Sequence, residues 1–191
     1  MKNIPTLAAL LFAAMTIGCS SDDDNTTYVP QVFEEENTHD LLYSGDIFNA
    51  PISSAGENVI ETGFEFKPKH NGTISKLTVK LAAPDPTTTV TLWDHETREI
   101  LRTQTVNVSA ASTLMEIDIT PLAVEKDHLY TVSVETNALF SRTLKTGTIP
   151  PIEVGSITVT RMVNTDDEFS YPVDSYGVLF GDVGFKFKRS E

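Results

Sequence analysis

In the stretch Ile74-Ser75-Lys76-Leu77-Thr78-Val79-Lys80-Leu81-Ala82, Leu77, Val79 and Leu81 fall on one side and Lys76, Thr78 and Lys80 on the other. A period of two marks an extended strand with one face on a core and the other in water. The same reading extends in both directions. Upstream it predicts a strand over Val59 to Phe66. Downstream it predicts strands over Thr89 to Trp93, Ile100 to Val108, Leu114 to Ile119, Leu129 to Glu135, Ser156 to Val163 and Asp182 to Lys188. Met115, Ile117 and Ile119 repeat the alternation, as do Tyr130, Val132 and Val134, and then Val183, Phe185 and Phe187. No long helical pattern competes.

Turn chemistry separates these runs. His70-Asn71-Gly72-Thr73 offers the positive-φ position of a tight turn, and Pro84-Asp85-Pro86 stops one strand before the next begins. A further edge strand is expected around Asp46 to Phe48, and Asn164 to Ser175 reads as a long polar loop. Short strands with one apolar face each must bury those faces against one another. The expected fold is therefore all-β: an antiparallel two-sheet sandwich, jelly-roll-like, of about eight to nine strands. It fills residues 41–191 as a single domain.

The residues before 41 read differently. Lys2 and an apolar run from Leu7 to Met15 lead to Gly18 and Cys19, the layout of a secretory signal peptide over residues 1–18. That run is well short of the ~20 residues needed to span a bilayer as a helix. Thr16-Ile17-Gly18-Cys19 resembles the lipobox of bacterial lipoproteins, with Thr16 departing from the usual leucine. The resemblance implies that Cys19, the only cysteine of the chain, is acylated and becomes the N-terminus. Ser21, Asp22, Asp23 and Asp24 resemble the acidic export signal that sends lipoproteins of one bacterial phylum to the outer face of the outer membrane.

Of the 191 residues, 14 are basic and 27 acidic, a net charge of −13. Seven acids and no base lie between Ser20 and Asp40, so residues 19–40 are expected to form a solvated, disordered tether. The body from Leu41 onward holds 20 acids against 13 bases. No basic face large enough for nucleic acid is available. One cysteine excludes an internal disulfide and any multi-cysteine metal cluster.

Within the body, Gly63-Phe64-Glu65-Phe66, Gly72-Thr73-Ile74, Val90-Thr91-Leu92-Trp93-Asp94, Ile100-Leu101, Leu129-Tyr130 and the closing Tyr176 to Phe187 resemble, in order, the family called domain of unknown function 4082. Two of its features are missing: Pro86-Thr87-Thr88 replaces a Gly-Thr-His stretch, and Ala111-Ser112-Thr113 stands where a Gly-Trp is usual. The resemblance implies a β-sandwich module of extracellular carbohydrate-active proteins, with a binding or adhesive role and no catalytic residue.

Direct signs of catalysis are sparse. No G-x-S-x-G elbow occurs, the glycines are spread singly, and His39, His70, His95 and His128 are scattered in positions that read as surface. Glu116 and Asp118 share one face of a strand, ~7 Å apart, which suits a carboxylate pair but equally a solvated sheet face, the reading adopted.

Trp93 is placed opposite Val90 and Leu92 by the alternation. An exposed indole there would stack on a sugar ring, with Asp94, His95 and Arg98 bonding its hydroxyls; the other reading is a packed tryptophan. Asp166, Asp167 and Glu168 offer oxygen ligands for a structural calcium, the one cofactor considered. The expectation is thus a non-enzymatic lipoprotein of the outer membrane, held by acyl chains and facing the exterior, that binds a glycan or an envelope partner. The alternative is a structural or adhesive subunit working through exposed strand edges.

Overall fold

The computed structural model of the chain describes residues 31–165, 170–173 and 177–190. In chain order the elements are β1 (Glu36–Asn37), α1 (Thr38–Tyr43), β2 (Ile52–Pro68), β3 (Gly72–Lys80), β4 (Asp85–Asp94), β5 (Ile100–Val108), β6 (Met115–Val124), β7 (Tyr130–Thr143), β8 (Ile152–Val154), β9 (Ile157–Thr165), β10 (Val178–Phe180) and β11 (Asp182–Arg189). They form two antiparallel sheets, ordered β1-β11-β3-β6 and β5-β4-β7-β2-β9-β8, with β10 on the far half of β7.

The pairs β1·β11, β2·β7, β3·β6 and β4·β5 nest inside one another. They describe one long hairpin, tipped at the β4–β5 turn and wrapped so that alternate pairs fall in alternate sheets. With β11·β3 and β4·β7 closing the two sheets, this is the double Greek-key order of a jelly roll. β8 and β9 extend the larger sheet beyond β2. The all-β sandwich expected from the alternation is thus the architecture found.

The core lies where the alternating apolar faces meet. Phe64, Phe66, Leu77, Val79, Leu92, Val132, Phe185 and Phe187 are fully buried. Phe66 of one sheet meets Phe185 of the other, tilted with ring centroids 4.4 Å apart, and stacks with Tyr130 at 5.7 Å. Each such side chain contributes ~1.5–3 kcal/mol relative to exposure. Gly63 answers a steric need in the β2·β7 pairing: a Cβ there would sit 1.9 Å from the carbonyl oxygen of Val132.

The sandwich begins earlier than the expected boundary at residue 41. Glu36 and Asn37 pair with Phe187 and Lys186, and the Glu36 carboxylate accepts from the Ser156 N–H and hydroxyl. Helix α1 then continues the ladder with side chains. The Thr38 hydroxyl accepts from the Phe185 N–H and donates to the Phe185 carbonyl, both at 2.8 Å. The Tyr43 hydroxyl does the same for Val183, at 3.2 and 2.9 Å. Edge groups of β11 that would otherwise stay open are satisfied in this way. The tether reading therefore fails for Glu36 to Asp40, because acids there have specific partners.

His39 is likewise 6% exposed rather than at the surface. The strand expected over Asp46 to Phe48 is a turn with a single bridge, Phe48 to Leu144. Cys19, Ser21, Asp22, Asp23, Asp24, Asp166, Asp167 and Glu168 lie outside the described residues.

Candidate functional site

The β4–β5 turn builds one end of the sandwich. The Asp94 carboxylate accepts from the Thr97 N–H at 2.8 Å and from its hydroxyl at 3.1 Å, and the Asp94 carbonyl accepts from the Arg98 N–H. Arg98 closes this turn at φ +61°, a left-handed conformation that costs a non-glycine residue ~1 kcal/mol or more. Its guanidinium lies 5.5 Å from the Tyr171 ring centroid. His128, arriving from the start of β7, places Nε2 2.7 Å from the second Asp94 oxygen. Burial pulls the Asp94 carboxyl upward, but the hydrogen bonds from Thr97 and His128 outweigh it and hold it below the usual carboxylate range.

Behind the turn, the outer face of the large sheet carries polar side chains that are buried. Register puts Trp93, Thr131, Glu65 and Arg161 in one cross-strand row. Tyr171 lies over it. Its hydroxyl meets Thr131 Oγ1 at 2.8 Å and His95 Nδ1 at 2.7 Å, and its ring meets the Trp93 indole edge-on at 5.8 Å. Glu65 Oε1 accepts from Arg161 Nη2 at 2.6 Å, with His95 Nδ1 at 3.1 Å. Burial raises the Tyr171 hydroxyl pKa, the Thr131 bond lowers it, and the Glu65 carboxylate adds to the rise.

The alternation correctly set Trp93 opposite Val90 and Leu92, but that face is not open. The indole is 3% exposed, and Nε1 donates to Ser133 Oγ at 2.7 Å. Trp93 is therefore not an exposed stacking platform. Ser133 donates in turn to Glu61 Oε1. Glu61, fully buried, sits opposite Glu135 in register, and among the described residues the buried Oε2 of each has no hydrogen-bond partner. Burial pushes the Glu61 carboxyl up to about 8, the Ser133 bond opposing and Glu135 reinforcing the rise.

Asp94, His95 and Arg98 are thus brought together, and Trp93 stands beneath them. Glu65, Tyr171, Arg161 and His128 complete the cluster, and sequence reading missed all four. Next to it opens a cleft of about 220 Å³, lined by Asp94, Glu125 and His128 together with Leu101, Leu122, Ala123 and Tyr130. The Tyr130 hydroxyl accepts from the Glu125 N–H, and the His128 ring stands edge-on to Tyr130 at 4.7 Å. A lining that mixes apolar side chains with carboxylates and an imidazole matches a ligand having both C–H faces and hydroxyls.

Elsewhere, Glu116 and Asp118 are held by Lys76 at 3.3 and 3.2 Å, and Glu116 also by Lys186 at 2.7 Å, a salt-bridged sheet face. Among the described residues no group of three or more His, Cys, Asp or Glu is placed to hold a metal ion. No protein-family model matches the chain, and no curated protein is similar to it in sequence.

Proposed function

We propose that the chain is a lipid-anchored outer-membrane protein, displayed outside the cell, whose sandwich binds a glycan in the cleft between the β4–β5 turn and β6. The cleft carries this reading. Its size admits one hexose ring, Leu101, Leu122 and Tyr130 offer the apolar face such a ring packs on, and Asp94, Glu125 and His128 offer partners for hydroxyls. The signal-like leader, Cys19 and the acidic run after it support the address. The ordered resemblance to extracellular accessory modules supports binding rather than catalysis.

A glycan array probed with the full chain tests the ligand. Signal on neutral glycans that is lost in Asp94→Asn and Glu125→Gln is expected. Protease treatment of intact cells tests the address, and a chain digested only after lysis would remove surface display. One observation favours the second reading, an adhesive subunit. β5 is an outer edge of nine residues with Thr103, Gln104, Thr105 and Asn107 exposed, a template for strand addition. A blank array with envelope proteins co-purifying, and that co-purification lost on Thr105→Pro, would favour it.

A further inference from the structure

At the opposite end of the sandwich, α1 closes over the ends of β3 and β7 and leaves a cavity of about 250 Å³ lined by His39, Asp40, Tyr43, Ser44, Lys80 and Arg142. β7 runs from Tyr130, beside Asp94, to Arg142 here, so about 40 Å of strand separates the two places. The acceptors around this cavity are occupied. Asp182 Oδ1 and Oδ2 accept from Arg142 Nε and Nη2, each at 2.6 Å. Asp40 Oδ2 accepts from Asn37, Oδ1 faces His39 Nδ1 at 3.4 Å, and the Asp40 carbonyl takes the Ser44 N–H.

The Tyr43 and Ser44 hydroxyls are spent on the Val183 and Asp40 carbonyls, whereas Lys80 and Arg142 keep donors to spare. Lys80 is the register partner of Asp182, yet Arg142 holds both oxygens of that carboxylate. Among the described residues Lys80 makes no ion pair, and its ammonium lies 5.8 Å from the Phe140 ring centroid. Arg142 has five N–H groups and spends two on Asp182. His39 adds an independent sign: the ring is 6% exposed and, among the described residues, the buried Nε2 has no partner. Because Nδ1 faces a carboxylate, Nδ1 carries the proton of the neutral ring and Nε2 keeps a lone pair for an incoming hydroxyl.

We propose that this cavity binds a small hydroxy-carboxylate, its carboxylate taken by Lys80 and the remaining Arg142 N–H groups and a hydroxyl donated to His39 Nε2. Asp182 neutralises Arg142, and Asp40, whose side chain is 65% exposed, is screened by water. Lys80 is therefore the charge left to be met. Two sources share this chemistry: a uronic-acid residue of a polysaccharide and a free hydroxy acid.

Isothermal titration of the full chain with galacturonate, lactate and propionate tests the proposal. Galacturonate or lactate is expected to bind, propionate at least tenfold more weakly, and Lys80→Gln to weaken binding at least tenfold, while Asp94→Asn leaves it unchanged. Galacturonate alone binding identifies the polysaccharide source; lactate binding as well as galacturonate identifies the free acid. Independently of any variant's folding, the His39 Nε2 ¹⁵N resonance of the unmodified chain should move on saturation. Failure of both hydroxy acids to bind, binding indifferent to Lys80→Gln in a folded variant, or an unmoved His39 resonance overturns the proposal.

Discussion

Replacing Glu61 by glutamine should stabilise the protein, and by an amount that depends on pH in a defined way. The carboxyl is fully buried, and burial raises its pKa from 4.5 in an open chain to about 8 in the fold. Between those values the folded state keeps a proton that the unfolded state has released, so stability falls as pH rises, by about 1.4 kcal/mol per pH unit. The loss is absent below pH 4.5, reaches about 3 kcal/mol at pH 7, and levels off near 5 kcal/mol above pH 8. Glutamine cannot ionise, and its amide oxygen still accepts from Ser133. Its N–H groups also fall in the neighbourhood of the unpartnered Glu135 Oε2. Urea denaturation of both chains from pH 4 to 9 measures the difference directly. Expected is a curve flat at the acid end, climbing through neutrality and flat again above about pH 8. A difference that stays constant across the range, or a Glu61→Gln chain less stable than the parent at pH 8, would refute the reasoning.

Other consequences follow from the buried polar pairs. Asp182→Asn leaves the Arg142 guanidinium, 7% exposed, without its counter-charge and should cost about 3–5 kcal/mol in chemical denaturation. The double variant Asp182→Asn with Arg142→Met should recover much of that loss. Trp93→Phe removes the donor to Ser133 and should lower stability by about 1–3 kcal/mol. Because the indole is covered, glycan signal on the array should survive this change, and its loss in a folded Trp93→Phe chain would restore a direct contact role.

The fold was legible wherever one strand face meets the core and the other meets water or salt-bridged side chains. The apolar residues of Lys76 to Leu81, Met115 to Ile119 and Val183 to Phe187 alternate for that reason, on either side of the bulges that interrupt these strands. β1 and α1 were not legible, since Glu34-Glu35-Glu36 carries no apolar period. Their order comes from partners more than a hundred residues away, among them Ser156 for Glu36 and Phe185 for Thr38. The upstream half of β2, through Ser53-Ser54-Ala55, pairs only because β7 runs on to Thr143. At the site, Asp94, His95 and Arg98 were visible as neighbours in one turn. Glu65, Arg161 and Tyr171 come from three other segments, and alternation alone reads Glu61, Glu65, Thr131 and Ser133 as a wet face. Tyr171 lies across the Glu65 and Thr131 end of that face and the Trp93 indole bonds Ser133, and no local pattern announces either contact.

The Thr38 and Tyr43 hydroxyls that complete the β11 ladder also decide how the domain bears mechanical force. Chain upstream of Glu36 leaves antiparallel to β11, past Arg189, whose guanidinium lies 4.1 Å from the Phe33 ring centroid. A pull from that side, opposed at the Asp182 end of β11, is directed along the strand rather than across it. Four attachments to β11, at Phe187, Lys186, Phe185 and Val183, then carry the load in shear and must slip together instead of opening one by one. Forced unfolding is governed by the rate of crossing that barrier. A Thr38→Val chain, having lost one of the four, should therefore give way at lower force when stretched between its N-terminal side and Asp182, and should differ little when stretched between Ile52 and Thr143.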